Sequence, residues 1–166
     1  MKTTAFFTRM LSWLTGSRLT VDNSVVRELD LDRFLGSWYE VARFDHFFER
    51  GMSQTRANYV LRDDGNIDVI NTGIKNGKPK TAKCKAKLTD IPSLLRVSFY
   101  GPFYSDYRVK LVDADYRYML IGSGSDGYLW ILSRTPQLAD SDRTAILSDA
   151  KSRGYDTDKL IWVKQD

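Results

Sequence analysis

The sequence predicts an all-β fold: an eight-stranded up-and-down antiparallel barrel with one C-terminal α-helix packed outside it. Three observations carry this. From Gly36 onward, short runs rich in β-branched and aromatic residues alternate apolar and polar side chains with period 2. Turn signals such as Asp63-Asp64-Gly65-Asn66 and Asn76-Gly77 separate these runs at close intervals. A single helical pattern, ending at Gly154, comes only after the last barrel strand. With 42% hydrophobic residues, the 166-residue chain can build one sizeable core.

Leu29 to Leu35 reads as a short helical turn broken at Gly36. The first strand runs to Phe44, with Trp38, Glu40, Ala42 and Phe44 on one parity and Tyr39, Val41 and Arg43 on the other. Neither side is cleanly polar, so periodicity alone does not orient it. Asp45 to Gly51 is a loop carrying two adjacent rings, Phe47 and Phe48. Loops normally lie in water, so these rings are expected to cover a core edge or a cavity entrance.

Arg56 to Leu61 alternates Ala57, Tyr59 and Leu61 against Arg56, Asn58 and Val60. Ile67, Val69 and Asn71 share one face of the next strand. Thr81 to Leu88 is the cleanest: Ala82, Cys84, Ala86 and Leu88 alternate with Thr81, Lys83, Lys85 and Lys87. That is a buried face opposite a solvated one, and its small residues leave room. Leu95, Val97 and Phe99 continue the apolar parity, then Tyr107, Val109 and Leu111, with Arg108 and Lys110 outside.

Tyr118 to Ile121 and Tyr128 to Arg134 complete the barrel. The last is apolar on both parities, so one side should face the interior and the other should lie under the helix. Asp140 or Ser141 can cap that helix, and Ala145, Ile146, Leu147 and Ala150 form its stripe. Leu160 to Val163 reads as a closing strand. Small inward residues mixed with aromatics favour a cavity with an aromatic wall over a solid core.

Residues 1–24 read as a separate segment, and 25–166 as the barrel domain. Lys2, Arg9 and Arg18 precede any acid, while Phe6, Phe7, Met10, Leu11 and Leu14 recur at helical spacing. A secretory signal, an interfacial amphipathic helix and a frayed terminus all fit. No stretch approaches the ~20 apolar residues of a spanning helix. The net charge of +4 is spread among acids, so a nucleic-acid groove is not indicated. One cysteine and one histidine exclude an internal disulfide, a multi-cysteine metal site and a histidine cluster.

Gly36-Ser37-Trp38-Tyr39, Asp115-Tyr116 and Arg134 resemble, in order and spacing, the three signature regions of the lipocalins. The similarity extends through Trp38 to His46, Phe48 to Gly51, Leu61 to Gly65, Val97 to Tyr104 and Tyr128 to Pro136. It is particularly close to bacterial outer-membrane lipocalins and their relative apolipoprotein D. Leu14-Thr15-Gly16-Ser17 departs from a lipoprotein processing site, because Ser17 stands where the acylated cysteine would be.

The resemblance implies a barrel floor of Gly36, Trp38 and Arg134, with the arginine stacked on the indole. With Trp38 inward, Glu40, Ala42 and Phe44 point inward as well. The expected ligand wall is then Glu40, Ala42, Phe44, Ala57, Tyr59, Val69, Ala82 and Cys84, with Val97, Phe99, Tyr107, Val109, Tyr128 and Trp130. Phe47 and Phe48 sit at the mouth.

The implied function is carriage of a fatty acid or lysophospholipid, for storage or transport of membrane lipids, outside the cytoplasm at the outer membrane or in the periplasm. The expected partner is the lipid, with no cofactor or metal; membrane-surface contact and a homodimer stay open. Two other classes compete. An enzyme could use Cys84 as a cavity thiol, although no basic residue is obviously placed to activate it. A filled barrel could serve as an interaction module.

Overall fold

The chain around Leu31 closes one end of the fold. In the computed structural model, which describes residues 21–100 and 102–166, Leu31–Phe34 forms one helical turn, α1. Asp30 caps it, accepting a hydrogen bond from Arg33 N at 3.2 Å. Phe34 is fully buried, and its carbonyl accepts a hydrogen bond from Trp38 Nε1 at 2.8 Å. Gly36, at φ +92°, turns the chain from α1 into the first strand through a conformation that other residues adopt only at a cost.

The strands are β1 (Gly36–Phe44), β2 (Ser53–Leu61), β3 (Ile67–Lys75), β4 (Lys78–Lys87), β5 (Leu94–Tyr100), β6 (Phe103–Val112), β7 (Tyr118–Gly122), β8 (Leu129–Ser133) and β9 (Leu160–Trp162). All pairings are antiparallel between sequential neighbours from β2 to β8, and β1 pairs with both β8 and β2. Eight strands therefore close into a barrel, as expected.

The closing strand β9 lies beside that circuit, pairing with the second half of β1 through Ala42↔Trp162. After Tyr39, β1 leaves β2 and takes β9 instead. Gln165 Nε2 bridges the gap, donating to Glu40 O at 2.6 Å and Thr55 O at 3.1 Å.

Helix α2 (Asp140–Ser152) packs outside the barrel. The two-sided strand β8 behaves as anticipated: Leu129 and Ile131 point outward to meet Ile146 and Ala150, while Tyr128, Trp130 and Leu132 point inward. The cap differs from expectation, being Ala139 with no side-chain bond; Asp140 and Asp142 instead sit in the first turn, where the helix dipole favours them. Ala145 is exposed rather than part of the packed stripe. Gly154, at φ +99°, ends the helix, and Tyr155 N bonds back to Ala150 O at 3.1 Å.

Two β-bulges reassign side chains. Glu40 pairs with Leu132 but Ala42 with Ile131, so Val41 is an extra residue in β1. Beyond it the parity inverts. Ala42 and Phe44, expected in the ligand wall, face outward into the cluster under α2, and Phe44 meets Tyr155 edge-on at 6.0 Å. Arg43 turns inward in their place, opposite Trp130. A second bulge at Lys110 sends Leu111 outward after the inward Val109.

Lys110 lies outside the barrel but is covered rather than solvated. It donates from Nζ to Asp22 O at 2.9 Å and Asn23 Oδ1 at 2.6 Å. Of the expected N-terminal segment 1–24, residues 1–20 and the readings placed on them lie outside the described residues. Residues 21–24 already pack on the barrel: Val21 is buried, and Asp22 N donates to Arg153 O at 2.8 Å.

Candidate functional site

The barrel interior has a filled floor and an open upper half. At the floor, the Arg134 guanidinium stacks on Trp38 with Cζ 3.7 Å from the ring centroid. It also donates to Ser37 O at 2.8 Å and Leu35 O at 2.9 Å, tying β1 to the chain after β8. A contact of this type is worth ~0.5–2 kcal/mol.

Above the floor, inward aromatics fill the bore. Tyr59 and Tyr107 share a hydrogen bond between hydroxyls at 2.5 Å, and Tyr107 and Trp130 lie 6.0 Å apart. The space left among Ala57, Tyr59, Val69, Val97, Tyr107 and Trp130 is about 20 Å³, enough for roughly one water. Val109 is buried in the same core.

The upper half holds a cavity of about 730 Å³, open at the mouth, in the size range of small-molecule sites. Glu40, Phe48, Ala82, Cys84 and Phe99 of the expected wall line it. Phe48 is the ring that the β1–β2 loop brings over the bore. It stacks on Phe99 at 5.0 Å and Tyr128 at 6.3 Å, and meets His46 at a tilt with centroids 3.8 Å apart. Phe47 is half-buried and meets Phe48 edge-on at 5.3 Å.

Sequence reasoning missed several lining residues: Glu49 and Met52 from the loop, Asn71 and Lys75 from β3, and Lys78 and Lys80 from β4. It also missed Arg43, which pairs with Glu40 inside the barrel at 2.9 Å. Arg43 Nη2 additionally donates to the loop carbonyls of Glu49 at 2.9 Å and Met52 at 3.0 Å, anchoring the loop to the wall. Glu49 in turn accepts from Trp130 Nε1 at 3.2 Å.

Burial, then the neighbouring Glu49 carboxylate, push the Glu40 carboxyl well above its usual range despite Arg43. Arg43 faces both carboxyl groups, at 2.9 Å from Glu40 and 3.9 Å from Glu49. Burial also pushes the Cys84 thiol up to about 11, opposed first by a hydrogen bond from Asn71 Nδ2 at 3.4 Å. Such a thiol is protonated at neutral pH and behaves as a small apolar group.

His46 is buried beside this cluster. Its Nε2 lies 3.1 Å from Glu49 Oε1, but outside hydrogen-bond geometry, and neither ring nitrogen has a hydrogen-bond partner among the described residues. Burial lowers its pKa to about 3 from 6.5. Acid therefore protonates the unfolded chain first, and this contribution to stability, complete above about 6.5, is lost as pH falls toward about 3. His46→Phe keeps an aromatic ring against Phe48 and removes the titration. Its unfolding free energy, measured in urea, should fall less than the parent's across that window, by up to a few kcal/mol.

A family model described as a lipocalin-like domain matches residues 29–165. The chain is 48% identical over 146 residues to the outer membrane lipoprotein Blc of Citrobacter freundii, covering 86% of this chain and 82% of that protein. It is 41% identical over 168 residues to Blc of Vibrio cholerae, covering 97% and 98%. Mouse (Mus musculus) apolipoprotein D is 30% identical over 152 residues, with 85% of this chain and 79% of that protein covered. Among solved structures, the cockroach allergen Per a 4 superposes with a TM-score of 0.70 at 19% identity, covering 89% of this chain and 95% of the allergen. A closed barrel with an external helix, a Trp38–Arg134 floor and these matches agree: the chain belongs to the lipocalin-like family.

Proposed function

We propose that the protein is a lipid-binding carrier. It holds a fatty acid or lysophospholipid with the chain in the upper cavity and the head at the open mouth, for storage or transport of membrane lipids. The observation that supports this most is the cavity itself, about 730 Å³ with Phe48, Ala82, Cys84 and Phe99 in its wall. A sixteen-carbon chain has a gross transfer gain of ~13 kcal/mol at ~0.8 per methylene. Ordering the ligand removes a good part of that, and micromolar or tighter binding remains within reach.

No step of this function needs a cofactor, a metal or a nucleophile, and the protonated Cys84 suits a lining role better than a catalytic one. The name borne by the Blc relatives, outer membrane lipoprotein, supports a place outside the cytoplasm, at the outer membrane or in the periplasm. At the mouth, Phe47 and Phe48 lid the chain and offer an apolar contact for a membrane surface.

Native mass spectrometry of the protein purified from its own source tests this reading. The expected spectrum shows one single-chain lipid per cavity, released on organic extraction, and also reports whether the chain is a monomer or a homodimer. A protein that carries no lipid and takes up none of an added oleate would overturn it.

A further inference from the structure

This inference rests on the lipid-binding reading and concerns the head group. The hairpin joining β3 and β4 builds one side of the mouth. Its rungs pair Val69 with Cys84, then, nearer the tip, Gly73 with Lys80 and Lys75 with Lys78. These positions are separated by even numbers of residues along regular strands, so they share the inward parity of Val69 and Cys84. The wall therefore changes from apolar at its base to basic at its rim.

Lys75, Lys78 and Lys80 all line the cavity, and among the described residues none is ion-paired with a carboxylate. Lys83, on the opposite parity, is instead bridged to Asp68 at 3.3 Å. The acids facing the cavity from the far wall, Glu40 and Glu49, are engaged with Arg43 at 2.9 and 3.9 Å. What remains without a carboxylate partner along the cavity is these three ammonium groups and the Arg56 guanidinium, which lies instead over the Tyr39 ring at 4.3 Å.

We propose that the site selects single-chain amphiphiles with an anionic head group, a carboxylate or phosphomonoester, held by Lys75, Lys78 and Lys80 above the chain. A zwitterionic head brings a cationic end beside the three lysines, and the two carboxyl groups in the cavity are already engaged with Arg43.

The test compares oleate, 1-oleoyl-lysophosphatidate, 1-oleoyl-lysophosphatidylcholine and oleyl alcohol as displacers of a fluorescent fatty acid from the full chain. A second series uses the chain carrying Lys75→Gln, Lys78→Gln and Lys80→Gln. The parent should prefer the two anions by about tenfold or more, and the preference should shrink as salt rises. The triple variant should bind all four within about threefold of one another and bind the alcohol as the parent does. Equal binding of all four by the parent, or a preference that survives the triple substitution, would overturn the head-group assignment while leaving lipid binding intact. Displacement of oleate by inorganic phosphate at comparable concentration would also overturn it, making the lysines a free-anion site. Failure of all four ligands to bind would instead remove the lipid-binding reading beneath it.

Discussion

Arg43→Leu is expected to destabilise the protein by about 3–5 kcal/mol, the cost of breaking a buried ion pair from one side. Arg43 is 2% exposed and faces into the barrel because of the bulge at Val41. Its removal leaves the Glu40 and Glu49 carboxyl groups without their cation, and the carbonyls of Glu49 and Met52 without their donor. The loss carries a pH signature. Burial already raises the Glu40 carboxyl and Arg43 opposes that shift, so without Arg43 the cost of Glu40 grows as pH rises and shrinks when acid protonates it. Urea unfolding should therefore show a larger deficit at pH 8 than at pH 5. A loss below about 1 kcal/mol at both would mean that Arg43 neither anchors the loop nor neutralises the wall.

Cys84→Trp should lower affinity for a long-chain fatty acid by about a hundredfold or more, which corresponds to ~2.8 kcal/mol. Cys84 lines the wall of the cavity, and an indole there occupies space that the chain would take. Overpacking costs of ~1–3 kcal/mol are expected in the fold itself, so unfolding is measured alongside binding. Lys85→Ala, one residue along and on the other parity, should leave affinity within about twofold. A folded Cys84→Trp protein that binds like the parent would place the ligand elsewhere.

The barrel was legible wherever alternation ran unbroken. Ala57 and Tyr59 in β2, Cys84 and Ala86 in β4, and Val97 in β5 all face inward as their period-2 pattern requires. The two-sided apolar run in β8 correctly implied a helix beneath it. What escaped was the pair of bulges. Neither Val41 nor Lys110 carries a local signal such as glycine, and each inversion is set by register against a neighbouring strand. That is why Ala42 and Phe44 changed sides and Arg43 went unseen.

The candidate site was legible only in part. Which residues point inward follows from parity, but how far the aromatics fill the bore is a matter of volume. Tyr59, Tyr107 and Trp130 consume the lower half, confining the large cavity to the mouth. Glu49 enters from a loop, and no periodicity reports on a loop. The rim lysines were within reach: the parity of Cys84 and Ala82, carried two and four residues back from Ala82, arrives at Lys80 and Lys78. The clean alternation begins only at Thr81, whereas the strand itself starts at Lys78, directly after the Asn76-Gly77 turn.

The central claim is that an acyl chain lies inside the upper barrel. Isotope-filtered NOE spectroscopy of ¹³C-labelled protein with unlabelled oleate tests it most directly. Cross-peaks from the chain methylenes to Ala82, Cys84 and the rings of Phe48 and Phe99 are the predicted result. Contacts confined to exposed apolar residues on the outside, such as Val60, Ile91 or Trp162, would contradict it.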